Sequence, residues 1–211
     1  IDHSGLLPRM VKKGFKGSIY CTRPTAELAS IMLEDSAHIQ EMDHEWKSRH
    51  DKRRGASEVA GGEPLYETED ALATAKLLHP VNFDDAILPA PGVKVVFRHA
   101  GHILGAAFLE LTVEEEGKST RIVFSGDLGR PGALLLPDAE KPDTPDWLFV
   151  ESTYGDRDHK GEDDTLEELA EAVNYSFSHH EKVIIPAFAV ERTQEILYSL
   201  LILKKQNRLP E

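Results

Sequence analysis

The sequence predicts an α/β chain in two parts, and three patterns in its 211 residues support this prediction. Amphipathic helical segments dominate the first ninety residues, with a short strand between them. From residue 93 to residue 150, runs rich in β-branched and aromatic residues indicate strands. After Glu151 the pattern becomes an alternation of helix, strand and helix, which is typical of a Rossmann-like sheet. We therefore expect one α/β part over residues 1–155 and the beginning of a second over residues 156–211.

The first part is predicted to open with two helices around a strand. A short helix over Leu6–Phe15 meets Gly14 near its end, and a buried strand follows over Gly17–Thr22. Pro24 suits the first turn of a longer helix. The polar, glycine-containing stretch Asp43–Glu63 predicts a solvated loop. A further helix is predicted over Glu67–Leu78.

The predicted strands share one feature, which is that polar residues follow them at once. The strands are Val93–Arg98, Ala107–Val113, Arg121–Phe124 and Trp147–Val150, and the charged stretch Glu114–Ser119 predicts a hairpin turn. The polar residues after three of the strand ends are His99 to His102, Ser125 to Asp127, and Glu151 to Thr153. Because sites in α/β proteins assemble at strand ends, we expect these segments to meet.

The second part is predicted to contain a helix, a strand and a second helix. Thr165 and Glu168 have the spacing of a capping box, which predicts the start of the first helix. A buried strand is expected over Lys182–Pro186, followed by a helix over Val190–Lys204. The chain stops before a closing strand, which predicts truncation at this end.

Composition narrows the classes of protein that fit. Hydrophobic residues make up 40% and charged residues 29%, which favours a folded globular chain. No run approaches the roughly 20 apolar residues of a membrane span, so we expect no membrane association. Cys21 is the single cysteine, which excludes an internal disulfide and favours the cytoplasm. The net charge of -13 argues against simple binding of nucleic acid, unless metal ions hold the phosphate.

Three short segments carry residues suited to a two-metal hydrolase. Such an enzyme needs imidazoles and carboxylates that project from several strand ends, with one carboxylate able to bridge two ions. The segments are Asp2-His3-Ser4-Gly5, Ala100-Gly101-His102-Ile103-Leu104-Gly105-Ala106-Ala107 and Phe124-Ser125-Gly126-Asp127-Leu128-Gly129. Each could be an ordinary turn by itself, and their order along the chain is what favours a site.

Together these segments resemble the metallo-β-lactamase superfamily. Glu151-Ser152-Thr153-Tyr154-Gly155-Asp156-Arg157 and the stretch from Pro186 to Glu195 are similar to its β-CASP nucleases. The form around His102 is more similar to the cleavage-and-polyadenylation endonuclease branch, with its bacterial and archaeal relatives, than to ribonuclease J. The resemblance implies a partial metallo-β-lactamase αββα sandwich over 1–155, followed by the start of a β-CASP domain.

The resemblance also implies the roles of individual residues. Asp2 and His3 would ligate the second metal, His102 would ligate the first, and Asp127 would bridge them. Glu151 would act in catalysis by holding a later histidine that this chain does not contain. The ions would be two divalent metals, with zinc favoured by the His and Asp donors. His99 and Arg192 are candidates for contact with substrate, although Arg192 could equally pair with Glu191 or Glu195.

The function that the resemblance implies is hydrolysis of RNA phosphodiester bonds by the intact protein, with single-stranded RNA as substrate. A β-CASP nuclease of DNA repair and a non-catalytic scaffold in an RNA-processing complex remain alternatives. Three expected ligands are absent, so we expect a piece truncated at both ends, with weak metal binding and no nuclease activity of its own. Endonuclease or exonuclease mode, sequence preference and a homodimer are left open. The other histidines are expected to be ordinary surface residues: His38, His44, His50, His79, His159, His179 and His180.

Overall fold

The computed structural model describes residues 2–53, 63–156 and 162–210. After a 3-10 turn at Asp2–Ser4, the first elements are α1 (Leu7–Lys12), β1 (Ile19–Thr22), α2 (Arg23–Arg53), α3 (Thr68–Ala75) and β2 (Leu78–Val81). Strands β1 and β2 pair in parallel. Helix α2 packs against α3 and both of these strands. This mixture of helices and strands confirms the predicted α/β class.

The buried core of this helical region lies along one face of α2. Ala29, Leu33 and Ala37 recur at intervals of four residues, which places them on the same side of a helix. They pack with Tyr66 and Ala71, and Leu33 is only 3% exposed. The Tyr66 hydroxyl lies 3.0 Å from the Ser36 hydroxyl, so this buried ring keeps a hydrogen-bond partner.

The second group of strands forms one sheet within the described residues. Its strands are β3 (Ala86–Ala90), β4 (Val93–His99), β5 (Ala107–Glu115), β6 (Lys118–Phe124) and β7 (Trp147–Phe149), in that spatial order. The pairs from β3 to β6 are antiparallel, and β6 pairs with β7 in parallel. Strands β4, β6 and β7 therefore run in the same direction and end at the same edge of the sheet.

The hairpin predicted between β5 and β6 is confirmed. Glu115 pairs with Lys118, so the loop contains only Glu116 and Gly117. Both have positive φ angles, 49° and 77°, as a two-residue hairpin turn requires. Glycine adopts such an angle without steric cost, which explains its place in this turn.

The predicted strand over Lys182–Pro186 is wrong. Residues 181–188 have no assigned secondary structure, and Ile184 is 88% exposed. A strand is stabilised by pairing with a neighbour, and no described segment pairs with this one. The flanking helices are present as α4 (Glu162–Ser178) and α5 (Arg192–Lys205), although α4 begins before the predicted capping box at Thr165.

The predicted loop over Asp43–Glu63 is wrong in its first half, because α2 continues to Arg53. The Arg49 guanidinium lies 2.7 Å from the Glu45 carboxylate one turn earlier, a pairing that supports a helix in a polar sequence. The rest of that prediction, residues 54–62, lies outside the described residues. Two short strands, β2 and β3, are additions that sequence patterns did not predict.

Helix α2, at 31 residues, is longer than the other helices of the described ranges, but charged residues occur along its whole length. None of the described helices combines the length and the apolar character that crossing a lipid bilayer would require.

We predict that Leu33→Ala lowers the free energy of unfolding by about 2 to 5 kcal/mol, because it leaves a cavity in the core between α2 and α3. Ile31→Ala, on the same helix at a side chain that is 68% exposed, is the matched control and should change stability little. Urea denaturation of both variants measures the difference. Equal losses for the two variants would contradict the assigned core face of α2.

Candidate metal centre

The loops after β4, β6 and β7 are joined to one another at the shared edge of the sheet. The Gly129 N–H donates to the Ala100 carbonyl at 2.8 Å, which ties the loop after β6 to the loop after β4. The Leu128 N–H donates to Glu151 Oε1 at 2.6 Å, and the Glu151 N–H donates to Ser125 Oγ at 3.0 Å. The polar residues predicted to meet therefore lie in three connected loops.

Three of the predicted metal ligands come together at this edge. His3 Nε2 lies 3.3 Å from Asp127 Oδ2, and His102 Nε2 lies 3.9 Å from the same oxygen. The side chains of His3, His102 and Asp127 are 71%, 39% and 28% exposed, respectively. The site is therefore open to solvent on the side of His3 and could admit a ligand from there.

The donor atoms fit a divalent metal ion in kind and in spacing. Imidazole nitrogen and carboxylate oxygen are both zinc ligands, and two such donors on one tetrahedral ion lie roughly 3.4 Å apart. The contact of His3 with Asp127 matches that separation, and the contact of His102 is longer. Across residues 2–53, 63–156 and 162–210, however, no group of three or more His, Cys, Asp or Glu is arranged to hold an ion. The pairs of His3 and His102 with Asp127 are suited to metal binding, but the described donors alone do not form a complete set of ligands for an ion.

Asp2 and Glu151 are the other two residues assigned to the site. The backbone of Asp2 begins the 3-10 turn before α1, while its carboxylate lies outside the described part of the structure. Glu151 accepts hydrogen bonds from the Leu128 N–H and from Thr153. The Leu128 N–H is the largest cause of a lowered Glu151 pKa, burial opposes it, and Thr153 and the nearby His102 lower it further. Glu151 thus stays ionised and holds the loop that carries Asp127.

His99 is fixed by contacts of a different kind from those predicted. Its ring stacks on Phe83 with a centroid distance of 3.6 Å, and its backbone N–H donates to Glu140 Oε1 at 3.2 Å. The Glu140 N–H in turn donates to the His99 carbonyl at 2.9 Å. These contacts anchor the end of β4 and so help to place His102, while contact of His99 with substrate remains a prediction.

Arg192 pairs with Glu195, which was the alternative to contact with phosphate. Its guanidinium lies 3.0 Å from Glu195 Oε2. The second oxygen of the same carboxylate lies 2.5 Å from Arg130 Nη2. Arg130 follows Asp127 by three residues, so this pair links the loop after β6 to helix α5. Sequence patterns missed Arg130, because no motif marks a cation whose partner lies 65 residues away.

The loop that contains His102 is also tied to the start of α2. The hydroxyls of Thr22 and Thr25 donate to the Gly105 carbonyl at 2.7 Å and 3.2 Å. Gly105 has a φ of 86°, and a Cβ there would lie 2.9 Å from both threonine hydroxyl oxygens. Only glycine combines that backbone angle with so close an approach.

Several of the remaining histidines make contacts that suit ordinary surface residues. His50 stacks on Trp46, His79 meets the edge of Tyr20, and His179 stacks on Tyr175. His159 lies outside the described residues.

Comparison with known proteins finds similarity over nearly the whole chain. Ribonuclease TTHA0252 of Thermus thermophilus is 34% identical over 200 residues, 95% of this chain and 40% of the relative. Transcription termination factor FttA of Thermococcus kodakarensis is 31% identical over 204 residues, and endoribonuclease YSH1 of Eremothecium gossypii is 30% identical over 202. These alignments cover 95% of this chain but only 28% and 24% of the relatives. No family model matches the chain. The chain spans less than half the length of these curated relatives.

We predict that Gly129→Ala destabilises the fold by about 1 to 3 kcal/mol, because an added Cβ would lie 1.7 Å from the Gly101 carbonyl oxygen. The two loops must then separate. Gly5→Ala, with no atom within 4 Å of an added Cβ, is the matched control. Chemical denaturation of both variants tests this, and a neutral Gly129→Ala would mean that the loops are not in contact.

We predict that Glu151→Gln destabilises the protein near neutral pH and that the difference from wild type disappears on acidification. The pKa of Glu151 is lowered in the fold, so ionised Glu151 stabilises it above the ordinary carboxyl pKa. That contribution is lost as the pH falls through the lowered pKa. Unfolding free energies measured from pH 7 to pH 3 check the sign, with the exposed Glu69→Gln as control. A difference that grows on acidification would refute it.

Proposed function

Because this chain belongs to the β-CASP nucleases of the metallo-β-lactamase superfamily, we propose that it is part of a metal-dependent hydrolase that cleaves RNA phosphodiester bonds. The observation that carries the proposal is that His3 and His102 both face the same oxygen of Asp127. These residues lie far apart in sequence, and a purely structural fold has no need to collect them at one open edge. The relatives named ribonuclease and endoribonuclease support RNA as the substrate.

In this proposal the chain supplies ligands for two divalent ions, with zinc favoured by the donor atoms. His102 and His3 would each serve one ion, Asp127 would bridge them, and Asp2 would join His3. Divalent ions bound there supply positive charge for the phosphate and lower the pKa of water. Such ions would also explain how a chain with a net charge of -13 could bind RNA, because the phosphate would contact the cations rather than acidic side chains.

Glu151 is proposed as a positioning residue rather than as a group that touches substrate. Its carboxylate accepts the Leu128 N–H at 2.6 Å, directly after Asp127 in the chain. An ionised acceptor makes a stronger hydrogen bond than a neutral one, so Glu151 fixes the backbone on which Asp127 stands. The later histidine that the resemblance assigns to Glu151 is absent from this sequence.

The division into domains is also a proposal. We assign residues 1–155 to the metallo-β-lactamase part and 156–211 to the beginning of the β-CASP part, because β7 is the last strand of the described sheet and the helices α4 and α5 follow it. Substrate would bind between the two parts, beside the open face of His3. The single cysteine favours the cytoplasm as the location.

We predict that Asp127→Asn and His102→Ala each lower kcat/KM for RNA in the full-length protein by at least about a hundredfold, because loss of a metal ligand removes several kcal/mol of charge stabilisation. His38→Ala, at an exposed position on α2, is the matched control. Chelation should abolish activity and added Zn²⁺ should restore it. Full activity of Asp127→Asn would refute the assignment.

Matched RNA and DNA strands, offered to the full-length protein under the same conditions, test the substrate class. Faster cleavage of the RNA strand supports the proposal. Faster cleavage of the DNA strand would favour the DNA-repair alternative. If neither strand is cleaved, with or without added metal ions, the non-catalytic scaffold is favoured.

A further inference from the structure

We infer that Glu191 and Glu195, at the start of α5, are positioning residues that set the spacing between the loops of His102 and Asp127. Each carboxylate contacts one of the two loops. Glu191 accepts a hydrogen bond from the Leu104 N–H, two residues after His102, and Glu195 pairs with Arg130, three residues after Asp127. We name these two contacts the α5 clamp. The inference rests on the metal centre proposed above.

The short segment that joins Glu191 to Glu195 limits the span of the clamp. The Glu195 N–H donates to the Glu191 carbonyl at 2.9 Å, so the two residues are joined by the first turn of α5. Glu191 itself precedes the helix and has non-helical backbone angles, so this hydrogen bond and the short segment between the two residues limit how far apart their side chains can lie. The two loops are therefore contacted from one short segment, which restricts their separation.

The contact with Arg130 is sheltered from solvent. The side chains of Arg130 and Glu195 are 22% and 13% exposed. Both line a cavity of about 270 Å³ whose other walls include Leu166, Leu169 and Ile185. An ion pair beside apolar walls is screened less than one on an open surface. Arg192 pairs with the other oxygen of Glu195, so both oxygens of that carboxylate have a guanidinium partner.

The contact at Glu191 is made by a strained backbone. Glu191 has φ 69° and ψ -70°, and the Arg192 N–H donates to the Val190 carbonyl at 3.0 Å, which together define a γ-turn centred on Glu191. This form of the γ-turn is rare for a residue with a side chain and is energetically costly. The side chain it carries lies against the loop of His102. Burial and the nearby Glu195 raise the pKa of Glu191, while the Leu104 N–H, His102 and Arg192 oppose that rise. Strain at such a position is expected where function, rather than stability, maintains it.

The strain makes the two possible roles of Glu191 separable. Glycine adopts a positive φ without steric cost, so Glu191→Gly relieves the γ-turn while it removes the carboxylate. If Glu191 only stabilises the fold, the variant should be less stable. If Glu191 positions the loop of His102, the variant should be as stable as wild type or more so, and should bind metal less well.

We predict that, in the full-length protein, Glu191→Gly and Glu195→Gln each weaken Co²⁺ binding by about tenfold or more, the range found when groups that orient metal ligands are removed. The visible absorption of Co²⁺ during titration measures the affinity. Glu191→Gln keeps an oxygen for the Leu104 N–H and should retain wild-type affinity. In the metal-free protein, amide hydrogen exchange in residues 100–106 should be faster in Glu191→Gly. Glu167→Gln, which alters an α4 residue paired with Arg208, is the matched control.

Two outcomes would overturn the inference, and they are distinguishable. If Asp127→Asn abolishes Co²⁺ binding while Glu191→Gly and Glu195→Gln bind as wild type does, the α5 clamp is wrong and the metal centre stands. If Asp127→Asn and His102→Ala bind Co²⁺ as tightly as wild type, the metal centre and the clamp both fail. Should Glu195→Gln prove unstable, Glu191→Gly still decides, because relief of the γ-turn is expected to preserve its stability.

Discussion

The close approach of Gly129 to the backbone at Gly101 is the constraint on which the rest of the site depends. The Gly129 N–H donates to the Ala100 carbonyl, and no side chain fits between the two loops at this point. The contact brings a residue two positions after Asp127 against a residue two positions before His102. Their side chains can then share one region of space although 25 residues separate them. Strand pairing alone would not achieve this, because β5 lies between β4 and β6.

The acidic residues around the site are engaged in ways that limit their repulsion of an anionic substrate. Glu151 is used as an acceptor of backbone N–H groups, and Glu195 is held between two arginines. Their charges are therefore balanced locally by N–H dipoles and guanidinium groups. Asp127, which faces two imidazoles, is the carboxylate at the centre of the open side. A net charge of -13 over the whole chain thus says little about the field at this edge.

Sequence patterns predicted that His102 and Asp127 would lie close together, and missed residues whose place in the structure depends on a distant partner. His102 and Asp127 follow strand ends, so their meeting could be expected from the direction of the strands. Arg130 and Thr22 have no such signal, because each matters only through a contact with a residue 65 or 83 positions away. The same reason explains the failed strand over Lys182–Pro186. Its composition suits a strand, but a strand also needs a neighbour, and composition does not reveal one.

The two proposed parts contribute different elements to the site: loops from residues 1–155 and helix α5 from residues 156–211. The first part brings donor side chains together on loops that one backbone hydrogen bond joins, from Gly129 to Ala100, and further contacts restrict the remaining movement of these loops. In the proposed α5 clamp, Glu191 and Glu195 at the start of α5 contact both loops, and the helix that follows Glu191 is stiffer than the loops themselves. The cost of the γ-turn at Glu191 is then a reason for the start of α5 to be held in place. A hydrolase built in this way would couple the position of its second part to the geometry of the site, because the residues that contact both loops lie together at the start of α5.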